Sequence, residues 1–491
     1  MDKPPGIEVP DADWANTPRS VQVLVLSLLK SQQHLLQRVE ELSQQVAALQ
    51  TGTRRGGGSG SSSANDQSGS QDRAATSPRK KKPSGRAPGA QPGHEGHGRP
   101  LLAVDQVDEQ VPVKPTACGH CGQPLAGDDP HPLRHQVIEI PPVRPQVTEY
   151  QLHTLRCAHC DGLTEAELPA GVPRSPFGAS VAAWCTLLSG AYRLSKRNIC
   201  ALMRDAFGLE MSAGAISQLE QRMSKALAHR VDEARQYVQQ QATAHLDETG
   251  WRERRKKAWL WTAVTALVSV FLIRPRRDAD VARELLGDKT TAIVCSDRGK
   301  AYDFLPALQR QACWSHLIRN LEKFVERGGE AKQVGEELLK LTHQLFRWWH
   351  RVRDGTLEHS SFRSYVSDLR GRFQFQLWYG EQFADRKTAK TCANLRAIEP
   401  ALWTFVRKDG DVAPTNNAAE RALRHGVLWR KVSFGTHSPA GSRFVERMLT
   451  VRETLRQQQR DVLAYLTTAC QASMLHRPAP SLLPHCAPPR A

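Results

Sequence analysis

The first regular pattern along the chain is a heptad. Leu28, Leu35, Leu42 and Leu49 recur every seven residues, with Val25, Gln32, Val39 and Val46 three residues before each. Leucine at d with mostly β-branched a positions predicts a parallel two-stranded coiled coil over 18–50, and Gln32 is placed to fix its register. From 51 to 104 the pattern disappears. This stretch is rich in Gly, Ser and Pro, and its first fifty residues hold almost no large apolar side chain, so it predicts a disordered basic linker. Alternation returns in "HQVIEIPP" and "QVTEYQLHTL", two strand-like runs that predict a hairpin. Helical period then governs 171–235. "SKRNICALMRDAF" ends at Gly208, and the next segment restarts with Ser212 as N-cap, the outline of a helix-turn-helix or of plain helical packing. From 236 the chain alternates apolar runs with turns. "YVQQQATAHL" leads as a strand into Asp247, before a Thr-Gly turn. "KAWLWTAVTAL" and "VSVFLIRP" suit adjacent strands, "DADVARELLG" a short helix, and "TTAIVCSDRGKAY" a strand ending at Asp297. A long helical, Trp-rich stretch follows, about 304 to 405, too long for a loop. The fold class is thus multidomain α/β, closing with a C-terminal helix and tail over 446–491.

Charge narrows the choice of partner. Lys and Arg number 67 against 50 Asp and Glu, a net +17, which points to nucleic acid or an anionic membrane surface. The membrane is disfavoured. The longest uncharged run, "AWLWTAVTALVSVFLI", is short, β-branched and interrupted by Thr and Ser, so it reads as two buried strands. No secretory signal is expected after Met1, since acidic, Pro-containing sequence follows it. Arg79, Lys80, Lys81 and Lys82 in the linker are candidate phosphate contacts without sequence preference.

Of eleven cysteines, four form two C-x-x-C pairs, Cys118/Cys121 and Cys157/Cys160. Each pair can present two thiolates from a tight knuckle, and four thiolates satisfy one structural Zn²⁺ in a ribbon-like module over 105–170. His120, His153 and His159 are near enough in sequence to be alternative ligands.

Asp247 and Asp297 each stand at the end of a strand of one predicted sheet. Carboxylates gathered at strand ends repel, and a cation between them relieves the repulsion. Glu420, in "PTNNAAERALR", would add a third oxygen ligand, and three such acids can hold two Mg²⁺ (or Mn²⁺) for phosphodiester chemistry. A structural reading of Glu420 competes. Asn417 could be an N-cap with Glu420 closing a capping box, and Arg424 stands four residues on. Glu381 and Glu399 are rival third acids, while Glu248 and Asp303 are expected to be solvated or capping.

The chain resembles the insertion sequence 66 family of transposases. The resemblance is carried by the leucine heptad, "GAQPGHEGHGRP", the paired C-x-x-C module, "HLDETGW", "VCSDRGKAY", "CWSHLIRNLEKF" and "PTNNAAERALRHGVLWRKVSFGTHSPAGSRF". It implies an Asp-Asp-Glu transposase with an RNase H-like catalytic core over 236–445, carrying a helical insertion about 320–410. In that reading Asp247, Asp297 and Glu420 are the first, second and third acids, and Cys313, His316 and Arg319 are neighbours of the site or simply packing residues. It further implies action on transposon ends and target DNA as a homodimer or higher oligomer. Accessory proteins encoded by the same element and residence at the bacterial nucleoid in the cytoplasm follow from it too. Two other readings compete: a zinc-containing dimeric DNA-binding regulator with a structural core, and an RNase H-like nuclease without strand transfer. A pure binding module has no use for three spaced acids.

Overall fold

The computed structural model describes residues 10–16, 99–408 and 410–484. The heptad, the linker and Arg79 to Lys82 lie outside these residues. The described chain divides into two units, one ending at Gln136 and one beginning at Val137, inside the stretch expected to form the zinc module.

The first unit holds a short helix, α1 (Asp11–Asn16), and a turn at Cys118–Cys121. There Cys118 N donates to Gln123 O and Gly122 N to Cys118 O, at 2.8 and 2.9 Å, with Gly122 left-handed. The second unit opens with the same construction. Strands β1 (Thr154–Arg156) and β2 (Leu163–Glu165) pair antiparallel around Cys157–Cys160. Cys157 N donates to Gly162 O and Asp161 N to Cys157 O, again at 2.8 and 2.9 Å, with Asp161 left-handed.

Of the strand-like runs at 135–142 and 146–155, only Thr154 and Leu155 enter a strand, β1, and its partner is β2 and not the other run. Val137, Ile140 and Val147 are each at least three-quarters exposed, so their alternation has no surface to pack on. Alternation marks a strand only where one face is buried.

Helices α2 (Ala179–Gly190), α3 (Lys196–Phe207) and α4 (Ala213–Gln239) follow. Ser195 caps α3 through Asn198 N, Gly208 ends it left-handed, and Ser212 caps α4 through Ala215 N. Ile216, Leu219, Met223, Leu227, Val231, Ala234 and Val238 form one buried stripe along all of α4, so this helix is packed into the core throughout its length.

The sheet is built from β3 (Thr243–Glu253), β4 (Lys256–Val264), β5 (Ser269–Arg274), β6 (Ile293–Ser296) and β7 (Arg310–Ala312). Its order is β5-β4-β3-β6-β7. The first three strands form an antiparallel meander, while β6 and β7 run parallel to β3. The uncharged run at 258–273 is therefore the body of β4 and most of β5, and among the described residues no helix is long and apolar enough to cross a membrane.

One sheet face is covered by α5 (Ala279–Leu286), capped by Asp278 through Val281 N, in a core with Ala244, Leu246, Val270 and Tyr302. The other carries α11 (Asn417–Ser433), α12 (Pro439–Gln457) and α13 (Val462–Met474), packed with α2–α4 on Leu260, Phe271 and Ile273. Gly426 lets α11 lie close on the sheet: a Cβ there would stand 2.3 Å from Leu260 Cδ2. Between β7 and α11 run α6 (Trp314–Arg327), α7 (Gly329–Arg353), α8 (His359–Phe383), α9 (Arg386–Ala397) and α10 (Thr404–Arg407). They bury an aromatic core of their own, in which Trp314 meets Phe346, Phe373, Trp403 and Phe405 edge-on.

Candidate metal centre

Asp247 lies in the middle of β3, with the expected Thr-Gly turn inside the strand: Thr249 pairs with Leu260 and Gly250 with Trp259. The parallel pairing with β6, however, stops at His245↔Cys295. Carried two residues further, that register sets Asp247 opposite Asp297, the first residue past β6. Both acids thus flank the mouth where the parallel strands part, the place where ligands of such sheets gather.

Glu420 reaches the same mouth on the first turn of α11. The N-cap is Asn416, not Asn417, and its side chain caps nothing. Asn416 is fully buried and bridges to β3: Nδ2 donates to Leu246 O at 2.7 Å, and Oδ1 lies 3.2 Å from His245 Nδ1. Its backbone N donates to Cys313 Sγ at 3.1 Å. The helix start is thereby tied to β3 and α6, which leaves the Glu420 carboxylate free of a capping duty. Oε1 of Glu420 stands 3.5 Å from His316 Nδ1 and 3.7 Å from Arg319. Both Oε1 and His316 Nδ1 are buried atoms with no hydrogen-bond partner. Cys313 Sγ, a His316 ring nitrogen and a Glu420 oxygen lie within 4.8 Å of one another.

The charges crowd. Burial, and then Glu248, Asp297 and Glu420, push the Asp247 carboxyl up to about 7. Burial first, and then Arg319, hold His316 below its ordinary value. A carboxylate cluster with an orphaned buried oxygen is a donor set that fits a hard divalent cation, which would offset the repulsion and take the free lone pair.

Glu248 departs from expectation. Successive strand residues face opposite sides, so it points away from Asp247 into the α5 core, with its side chain fully buried. Arg277 Nε donates to Glu248 Oε1 at 2.6 Å, and Tyr302 donates its hydroxyl to Oε2. Arg277 also comes within 3.9 Å of Asp297 and lies over the Trp259 ring. Asp297 Oδ1 accepts from Gly299 N at 2.7 Å. This second layer of Arg277, Tyr302, Asn416 and His245 carries no spacing signal, because its members come together only through the sheet.

The rival acids are spoken for. Glu399 accepts two bonds from Arg370, at 2.7 and 2.6 Å, and Glu381 pairs with Arg396. Asp303 is exposed and pairs with Arg310. In the C-x-x-C turns, the Cys118 thiol is lowered by backbone N–H groups, first that of His120, and the Cys157 thiol by those of Cys160 and then His159. Each turn is shaped to favour a thiolate.

Residues 174–443 match the family model described as transposase, insertion sequence IS66 family, and residues 115–161 match that of the zinc-finger binding domain of the IS66 transposase. The second match spans both C-x-x-C pairs. The chain is also 24% identical over 419 residues to the uncharacterized protein y4qI of Sinorhizobium fredii (strain NBRC 101917 / NGR234), a match covering 78% of this chain and 74% of that protein.

Proposed function

Because the chain belongs to the IS66 family of transposases and carries that family's zinc-finger domain, we propose that it cuts DNA at the ends of a mobile element and joins the freed 3′ ends to target DNA. The observation that carries this reading is the convergence of Asp247, Asp297 and Glu420 at the parting of β3 and β6. The strand order β5-β4-β3-β6-β7, an antiparallel meander followed by two parallel strands, supports an RNase H-like core with α6–α10 as its helical insertion.

In this reading the three acids hold Mg²⁺ or Mn²⁺, two ions per site. When bound, such ions activate the attacking oxygen and stabilise the leaving one. The chain's own residues set the frame. Asn416 locks the start of α11 to β3, so Glu420 faces the strand acids. Gly299 N fixes one oxygen of Asp297, and Arg277 draws toward the other. Cys118, Cys121, Cys157 and Cys160 are the ligands assigned to one structural Zn²⁺.

The test is incubation of the purified chain with labelled element ends and Mg²⁺, scored for nicks and for joined products. Nicks without joining leave a nuclease, and binding without nicks leaves a regulator. Glu420→Gln separates the third acid from its rivals. It should fold, keep its zinc and bind ends, with cutting reduced on the order of 10³-fold, as in Asp247→Asn and Asp297→Asn. If it cuts near the parent rate while Glu381→Gln or Glu399→Gln does not, the triad is misassigned.

A further inference from the structure

The hairpin joining β3 to β4 turns on Arg254 and Arg255, with φ of +49° and +63°. A two-residue turn with both central residues left-handed favours Asn-Gly, because a side chain is strained there. Arginine at both positions breaks the local rule, and such breaks gather where a sequence serves a ligand instead of its own fold. A second break lies beside it. α11 ends on Phe434, left-handed at φ +57° and 79% exposed, where Gly is the ordinary residue.

The two segments are tied together. Arg254 N donates to Thr436 O and Thr436 N to Arg252 O, both at 2.9 Å. Gly435 allows the close approach: a Cβ there would sit 2.1 Å from Arg252 O. Between them lies a concavity of about 500 Å³, lined by Arg252, Arg255, Phe434, Thr436 and His437 among others. An exposed ring thus stands beside Arg252 and Arg255 on a backbone tied to the hairpin.

This site is connected to the carboxylates by two routes. Glu420 and Phe434 are fourteen residues apart along α11, about 21 Å at a helical rise of ~1.5 Å. Asp247 and Arg254 are seven apart along β3 and its turn, about 23 Å at ~3.3 Å per strand residue. Along α11 the exposed Arg421, Arg424 and Lys431 share one face. The span equals about six nucleotides at ~3.4 Å each.

We propose that this concavity takes an unstacked nucleobase on the Phe434 ring, with the flanking phosphates on Arg254 and Arg255. The cations suit phosphate and the ring suits a base, a pairing single strands use. An acidic peptide would engage the arginines and leave the ring idle. The proposal rests on the DNA-cutting reading and adds to it a grip on the strand about six nucleotides from the acids.

The test uses the full-length, zinc-loaded chain and two probes. One is a blunt duplex; the other is the same duplex with a single-stranded thymine overhang carrying one fluorescent adenine analogue. The parent chain should prefer the overhang and quench the analogue. Phe434→Ala should abolish both effects, weakening overhang binding about 5- to 100-fold and leaving the duplex untouched, while Phe434→Trp restores them. Phe434→Gly should raise Tm and still lose the preference. Arg254→Asn with Arg255→Gly should also raise Tm, weaken both probes and lower the slope of log affinity against log salt by about 2. Preference and quenching that survive Phe434→Ala overturn the pocket, as does a loss in Phe434→Ala that is equal on both probes. If the parent binds neither probe, the DNA reading falls with it. If it binds the duplex but its preference ignores Phe434, the pocket alone falls.

Discussion

Glu420 and His425 lie little more than one turn apart on α11, and their environments are opposite. Glu420 keeps a buried oxygen, Oε1, without a hydrogen bond, 3.5 Å from His316 and 3.7 Å from Arg319. His425 is buried against Arg193, whose Nη1 lies 2.8 Å from Nδ1. Burial, and then Arg452 and Arg193, push its imidazole down to about 3 from an ordinary 6.5. The folded state therefore keeps His425 neutral where the unfolded chain takes up a proton. Stability from this group is complete above pH 6.5 and is lost as pH falls toward 3, by at most about 1.4 kcal/mol per pH unit. The urea midpoint of the parent should fall more steeply than that of His425→Gln between pH 6.5 and 5. Parallel curves would show that His425 does not govern the acid limb.

At the scale of elements, the position of α11 decides whether there is a site. The close contact of Gly426 with Leu260 sets the distance of that helix from the sheet. Gly426→Ala should push α11 outward, costing about 1–3 kcal/mol by overpacking and reducing cutting more than DNA binding. Unchanged Tm and unchanged cutting would mean that the contact is slack. The C-x-x-C turns make a separate prediction. Their backbone N–H groups favour thiolates at Cys118 and Cys157, so elemental analysis should find one zinc per chain. Cys118→Ser with Cys121→Ser should release it. A metal-free parent would remove the zinc assignment without touching the sheet.

At the scale of the whole molecule, the proposed action on two element ends would be served by two copies of the chain, and the heptad at 18–50, outside the described residues, is proposed to pair them. Leu35→Lys with Leu42→Lys sets charges in the seam and should halve the mass measured by light scattering. An unchanged mass would place association elsewhere. The net charge of +17 acts at this scale too. It draws DNA to the surface without choosing a sequence.

The sequence by itself determined the local elements whose signals are local. Gly208 ends α3, Ser195 and Ser212 start their helices, Asp278 caps α5, and the apolar run at 258–273 becomes two strands. Asp247 and Asp297 were legible as candidates, since carboxylates in or just past apolar strands stand out, and Glu420 as a candidate acid on a helix start; their joint role is the proposal made above. The alternating runs near 137 and 147 misled because period two reports a strand only when something covers it. The tertiary structure decided the rest. It sent Glu248 to the opposite face from Asp247, and it made Asn416 a bridge to β3 instead of leaving Asn417 a cap. It brought Arg277 and Tyr302 beneath the site, and the arginine turn beside Phe434. These meetings join residues up to 184 positions apart, as between Arg252 and Thr436. Burial, register and the approach of one element to another set them, and none of these is written in the spacing of a single segment.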